Sequence, residues 1–217
     1  MRKIIGLWLL SFFICIISFG ESHIPNEQKD SPAKGIMKTL ARPDLVLHYR
    51  EYGQGKAVLI LMGGPGFSGE GMEPVAQMIA KKGRAIVPDQ RGSGGSIPED
   101  PEAVTLDATV SDFEALREEL GLEKWTVWGC SWGGMLAMHY ASKFPESIES
   151  LILVGSGGTS WASFSKAFAD NMAARMSADD QAAVKYWSQP EIVAENPLRA
   201  HIERLRAILP SQFYDRS

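Results

Sequence analysis

The chain has 217 residues, 45% of them hydrophobic and 22% charged. That is ordinary globular composition and enough for one sizeable core. A net charge of −4 excludes nucleic-acid binding through a broad basic surface.

At the N-terminus Arg2 and Lys3 precede an apolar run over residues 4–19, and Ser18-Phe19-Gly20 offers small residues where a signal peptidase reads. The pattern predicts a secretory signal peptide over residues 1–20 and a periplasmic or secreted protein. The alternative is an uncleaved membrane anchor, although the run is short for a spanning helix. Cys15 leaves with the signal and Cys130 then stands alone, so no intramolecular disulfide is expected. Residues 21–35, polar and carrying Pro25 and Pro32, read as a linker.

Residues 36–40 and 45–49 flank Arg42-Pro43-Asp44 and predict a hairpin with proline in its turn. His48 falls in the second strand and is expected at a surface or edge position. Residues 57–62 are continuously apolar, as suits a strand covered on both faces, and Gly63-Gly64-Pro65-Gly66 ends them. Met72, Val75, Ala76 and Ile79 share one helical face, with Pro74 near the start. Residues 84–88 predict the next strand, followed by the loop Asp89-Gln90-Arg91-Gly92-Ser93-Gly94-Gly95-Ser96. Val110, Phe113, Leu116 and Leu120 form a helical stripe that Gly121 stops.

The apolar stretch Trp125-Thr126-Val127-Trp128 then runs into Gly129-Cys130-Ser131-Trp132-Gly133, and a helical stretch follows over residues 135–144. Strand, G-x-S-x-G, helix is a nucleophile elbow, in which a sharp turn lifts a serine hydroxyl to the N-terminus of a helix. Cys130 is read as a packing residue and not as a nucleophile, since it lacks a placed histidine partner. Residues 151–154 predict another buried strand, closed by Gly155. Strand–helix alternation of this kind implies a mostly parallel sheet with helices on both faces. Beyond residue 160 the pattern turns all-helical. Phe164, Phe168 and Met172 lie at helical spacing, and Ser177 with Asp180 forms a capping box opening the next helix. Ile202, Leu205 and Ile208 make a last stripe.

The three loops, Gly63-Gly64-Pro65-Gly66, Asp89 to Ser96 and Gly129-Cys130-Ser131-Trp132-Gly133-Gly134, stand in the order found in proline iminopeptidases. Over residues 36–158 the chain resembles that family of α/β-hydrolases. The resemblance implies an α/β-hydrolase core over residues 36–158, a helical cap over residues 159–217, and a serine hydrolase that takes N-terminal residues from short peptides through an acyl-enzyme. It implies Ser131 as nucleophile, with the backbone N–H groups of Trp132 and Gly64 as oxyanion hole; Pro65 has no N–H to give. No cofactor and no metal are implied, and the partner is a small peptide or ester substrate, with no nucleic acid and no stable membrane partner once the signal is cleaved. Arg91 is expected to pin backbone carbonyls with its five donors.

Two positions depart from the family, Met62 and Cys130, where it usually carries histidine. The triad of this fold runs serine, acid, histidine along the chain. After Ser131 only His139 and His201 remain. His139 lies about 12 Å along the same helix at 1.5 Å per residue and is expected to pack on a helix face; His201 is expected on a solvated face. The sequence therefore reads as a fragment, with the triad acid and base and the C-terminal strands beyond residue 217, and residues 151–154 left as an open sheet edge. The competing functions are hydrolysis of a small ester, lactone or amide on the same fold, and a catalytically inactive fragment or binding module. Glu191, Glu195 and Glu203 are not nominated as substrate-amine ligands.

Overall fold

The computed structural model describes residues 34–212. The signal peptide, Cys15 and nearly all of the linker lie outside the described residues. Two compact units divide the chain, the first ending at Thr159 and the second beginning at Ser160.

The first unit is built on a six-stranded sheet. Strand β1 (Ile36–Ala41) and β2 (Val46–Gly53) form the expected antiparallel hairpin, with Ala41 opposite Val46 across the Pro43 turn. Strands β3 (Ala57–Leu61), β4 (Arg84–Pro88), β5 (Trp125–Cys130) and β6 (Ile148–Val154) complete the order β1-β2-β4-β3-β5-β6. β4, β3, β5 and β6 pair in parallel, and β2 meets β4 antiparallel. Helices α1 (Glu73–Ala80), α2 (Leu106–Glu119) and α3 (Trp132–Lys143) connect the parallel strands. The Thr105 hydroxyl caps α2 by accepting from Ala108 N–H, and Gly121, at φ 65°, turns the chain out of that helix.

Period-two alternation divides the strand side chains between two cores. Leu47, Leu59, Leu61, Ile86 and Val127 face α2 and α3, where Phe113, Leu116, Leu136 and Tyr140 meet them. Ile60, Ala85 and Val87 point the other way, onto Met72 and Ala76 beside α1. Helices therefore cover both faces, as the unbroken apolar runs of β3 and β4 require. The chain leaves β3 toward β4 and leaves β5 toward β6, on opposite sides. The loops after these two adjacent strands diverge and open a crevice at their C-terminal ends, where open α/β sheets bind ligands.

Three expectations change. His48 does not lie at an edge, because β2 is hydrogen-bonded to both β1 and β4; its half-buried ring packs against Gly95, where a Cβ would sit 2.6 Å from it. His139 is not a packing residue: its Nε2 lies 2.7 Å from Asp107 Oδ1, at the surface between α3 and the start of α2. The run 151–154 is not buried as its apolar pattern alone reads but exposed as the fragment reading expects, with Leu151, Ile152, Leu153 and Val154 between 37% and 45% exposed. Among the described residues β5 alone pairs with β6.

In the second unit α4 (Trp161–Arg175), α5 (Ala178–Trp187), α6 (Pro190–Glu195) and α7 (Pro197–Ile208) follow one another. The capping box is present: Ser177 Oγ accepts from Asp180 N–H and Asp180 Oδ2 accepts from Ser177 N–H. The α7 stripe differs from expectation. Ala200, Ala207 and Ile208 are buried while Ile202 is exposed, so the inward face is rotated from the large residues toward the alanines. His201 is half-buried, not solvated. No helix of the described residues is long and apolar enough to cross a membrane.

An edge that presents four apolar side chains and a row of unpaired backbone groups is a template for strand pairing. The chain is expected to self-associate through β6. In size-exclusion chromatography Ile152→Lys should shift it toward monomer, whereas Lys at the exposed Met78 of α1 should leave the elution unchanged; equal profiles for the two would place the contact elsewhere.

Candidate active site

Ser131 sits where β5 ends and α3 begins, 3% exposed, with φ 51° and ψ −116°. Among the described residues it alone has a positive φ without being glycine. Such a backbone costs of order 1–3 kcal/mol and persists only where its surroundings over-determine it. Here they do. The Ser131 N–H donates to Val154 O at 3.0 Å, and its carbonyl accepts from Gly134 N–H at 3.0 Å and Met135 N–H at 3.3 Å. A Cβ at position 133 would collide with Leu61 O and lie 2.7 Å from Met62 O, so glycine alone lets α3 start this close to the end of β3. A Cβ at Gly63 would lie 3.2 Å from Ser131 Cβ and 3.0 Å from Cys130 O. The loop after β3 therefore rests directly on the turn after β5.

The predicted site residues fall as follows. Ser131, Trp132 and the Gly63-Gly64 loop come together at the ends of β5 and β3. Trp132 is the first residue of α3, so its N–H belongs to the donors that a helix leaves without an intrahelical partner. Gly64 follows the contact residue Gly63, with φ 76°, and its carbonyl accepts from Phe67 N–H at 3.4 Å, closing the loop as a turn. Cys130 is buried behind the turn. His139 and His48 are held elsewhere, at Asp107 and Gly95, and His201 belongs to α7 in the second unit.

Sequence reasoning missed what holds this crevice. Asp89, buried at the end of β4, accepts four hydrogen bonds. Arg50 Nη1, Ser68 Oγ and Gly69 N–H each donate to Oδ1 at 2.9 Å, and Gly95 N–H donates to Oδ2 at 3.0 Å. Burial pushes this carboxyl up, but the donors from Gly95, Arg50, Gly69 and Ser68 outweigh it and hold the group below its ordinary value. Gln90, also buried, donates through Nε2 to Met62 O at 2.7 Å. Arg91 does not pin carbonyls as expected. Its guanidinium makes a two-point pair with the fully buried Asp112, Nε to Oδ2 at 2.8 Å and Nη2 to Oδ1 at 3.0 Å, and also binds Asp44. Arg42 Nε adds a bond of 3.0 Å to Asp112. Carboxylates replace carbonyls because Asp112 could not be buried ionised without such partners. The signal that could have found these ties was Asp89-Gln90-Arg91 itself: three polar residues in succession where a buried strand ends.

Two expectations follow. Ser131→Gly should stabilise the fold by about 1 kcal/mol by releasing the strained backbone, while Gly133→Ala should destabilise it, both read by urea melts. Asp89 is stabilising above its unfolded value near pH 4, and that contribution drains away as pH falls through the lower folded value. Asp89→Asn should cost ~1–3 kcal/mol at pH 7 by misplacing donors against donors. It should also flatten the fall of Tm below pH 4; parallel Tm–pH curves for the two proteins would contradict this.

The family model described as alpha/beta hydrolase fold matches residues 56–192. A proline iminopeptidase of Lactobacillus helveticus is 47% identical over 100 residues, covering 44% of this chain and 34% of the relative. A probable proline iminopeptidase of Streptomyces coelicolor is 37% identical over 108 residues, covering 46% and 33%. The chain thus spans about a third of the length of these relatives. Among solved structures, a proline iminopeptidase-related protein of Thermus thermophilus aligns with a TM-score of 0.51 at 29% identity, over 57% of this chain and 45% of that one. VinJ aligns with a TM-score of 0.64 at 20% identity, over 79% and 59%, a likeness of fold. With its strand order, its covered sheet and the family match over most of its length, the chain belongs to the alpha/beta hydrolase fold family.

Proposed function

We propose that the chain carries the nucleophile and oxyanion hole of an exported serine hydrolase that removes N-terminal residues from short peptides. The observation that carries this reading is the strained Ser131, seated at the N-terminus of α3 and packed against Gly63. Similarity to proline iminopeptidases over 100 residues favours a peptide substrate with a free N-terminus.

In this reading Ser131 Oγ attacks the scissile carbonyl carbon as its proton passes to a base. The carbonyl π pair moves onto oxygen, where the N–H groups of Trp132 and Gly64 receive the developing charge. Collapse expels the amine, which takes up a proton, and leaves an ester on Ser131 for water to hydrolyse. The helix N-terminus favours the negative charge at that point. Attack needs a proton acceptor beside Oγ, which then returns the proton to the leaving amine; His139 and His48 are engaged elsewhere, at Asp107 and Gly95.

The test is labelling with a fluorophosphonate probe. The chain should be labelled at Ser131, slowly because the serine lacks a placed base among the described residues, and the Ser131→Ala variant should not be labelled at all. Turnover of proline-p-nitroanilide and p-nitrophenyl acetate by this 217-residue chain should be slow, since a serine without its base keeps only about 10³–10⁴-fold over water. Labelling that persists in Ser131→Ala would refute the assignment. Preference for the acetate ester over the anilide, beyond their intrinsic reactivity, would favour the ester, lactone or amide hydrolase instead.

A further inference from the structure

We infer that Gln90 is a positioning residue that aims the oxyanion-hole loop at Ser131 by clamping the Met62–Gly63 peptide; the inference rests on the function proposed above. The Gln90 side chain is buried, and its Nε2 donates to Met62 O at 2.7 Å. A carbonyl can be met only by the amide's NH₂ end, which fixes the side chain's orientation. The peptide bond is planar and trans, so the C=O of Met62 and the N–H of Gly63 point in opposite directions from one rigid plate. Holding the oxygen sets the tilt of that plate, and with it the start of the Gly63-Gly64 segment.

The plate has no slack on its other side. Met62 O lies where a Cβ on Gly133 would come within 2.7 Å of it, and Gly63 lies against Ser131. A rotation that relaxed the loop would drive it into the first turn of α3 or away from the serine. Gln90 is itself fixed. Its backbone carbonyl accepts from Ser93 N–H at 2.8 Å and from Ser93 Oγ at 2.6 Å, and its neighbour Asp89 holds Ser68 and Gly69 at the far end of the same loop. The Gly63–Gly69 segment is thus held at both ends by two consecutive residues of β4's exit, Gln90 at Met62 and Asp89 at Gly69. The Met62 side chain packs near Gly71 in the apolar core and gives the loop no polar anchor of its own. The anchor comes from the exit of the neighbouring strand β4.

Met62-Gly63 is the single Met-Gly pair in the sequence. Labelling methionine with carbonyl ¹³C and glycine with ¹⁵N therefore yields one cross-peak that reports this peptide directly, in the full chain and without any need for activity. In Gln90→Met, which keeps the side-chain length and removes the donor, the cross-peak should move from its wild-type position. The saturating rate of fluorophosphonate labelling at Ser131 should fall by about tenfold or more while the half-saturating probe concentration stays within about twofold, because a misaimed donor fails the transition state and not the encounter complex. Gln90→Glu serves as the second variant if Gln90→Met does not give a cooperative melt. An unmoved cross-peak overturns the clamp. A moved cross-peak with an unchanged labelling rate leaves Gln90 structural and overturns its positioning role. Wild-type chain that is not labelled at Ser131 defeats the proposed function, and the cross-peak still decides whether the clamp exists.

Discussion

The carboxylate of Asp89 is the constraint on which the crevice depends. One buried group receives donors from β2, from both residues that open the turn before α1, and from the loop after β4. Three segments far apart in sequence are therefore tied at one point, and the buried carboxylate could not stay ionised there without them. The neighbouring Arg91 repeats the device two residues on, with Asp112 carrying the tie into α2. Loops usually owe their order to the elements they connect. In this chain the loop after β4 owes it to charges that its own residues bury.

Against that rigid frame the turn at Ser131 is a steric solution. A strand and a helix meet at a sharp angle only if nothing projects between them, and Gly133 supplies that clearance by passing over the carbonyls of Leu61 and Met62. The strained serine backbone is the remainder of the same geometry. Strain and close approach are thus two faces of bringing the ends of β3 and β5 together, the place where diverging connections leave room for a ligand.

What could be read in the sequence was whatever local pattern dictates. The hairpin around Pro43, the four parallel strands, the stripes of α1 and α2, the elbow and the Ser177–Asp180 box all come from periodicity, caps and turn chemistry acting within a few residues. What could not be read depends on neighbours distant in sequence. The apolar run of β6 carries the same pattern whether or not another strand lies beside it, so its exposure followed from reading the chain as a fragment and not from the run itself. His139 looked like one more residue on a helix until Asp107 came within 2.7 Å. Arg91 was recognisable as a structural donor, but its partners sit 21 and 47 residues away. Met62 stands where the family usually carries histidine, and only the fold brings the Gln90 amide to its carbonyl.

The bond from Ser131 N–H to Val154 O sets an order of events. Val154 is the last residue of β6, the edge strand among the described residues. As the polypeptide leaves the ribosome, β5 and α3 emerge first, yet the amide between them has no acceptor until the chain has been made through Val154 and β6 has docked. The turn that sharpens the serine can thus lock only once β6 has docked. Anything that loosens that edge, whether heat, a strand bound to it or a nascent chain still threaded in the exit tunnel, reaches Ser131 through a single backbone hydrogen bond.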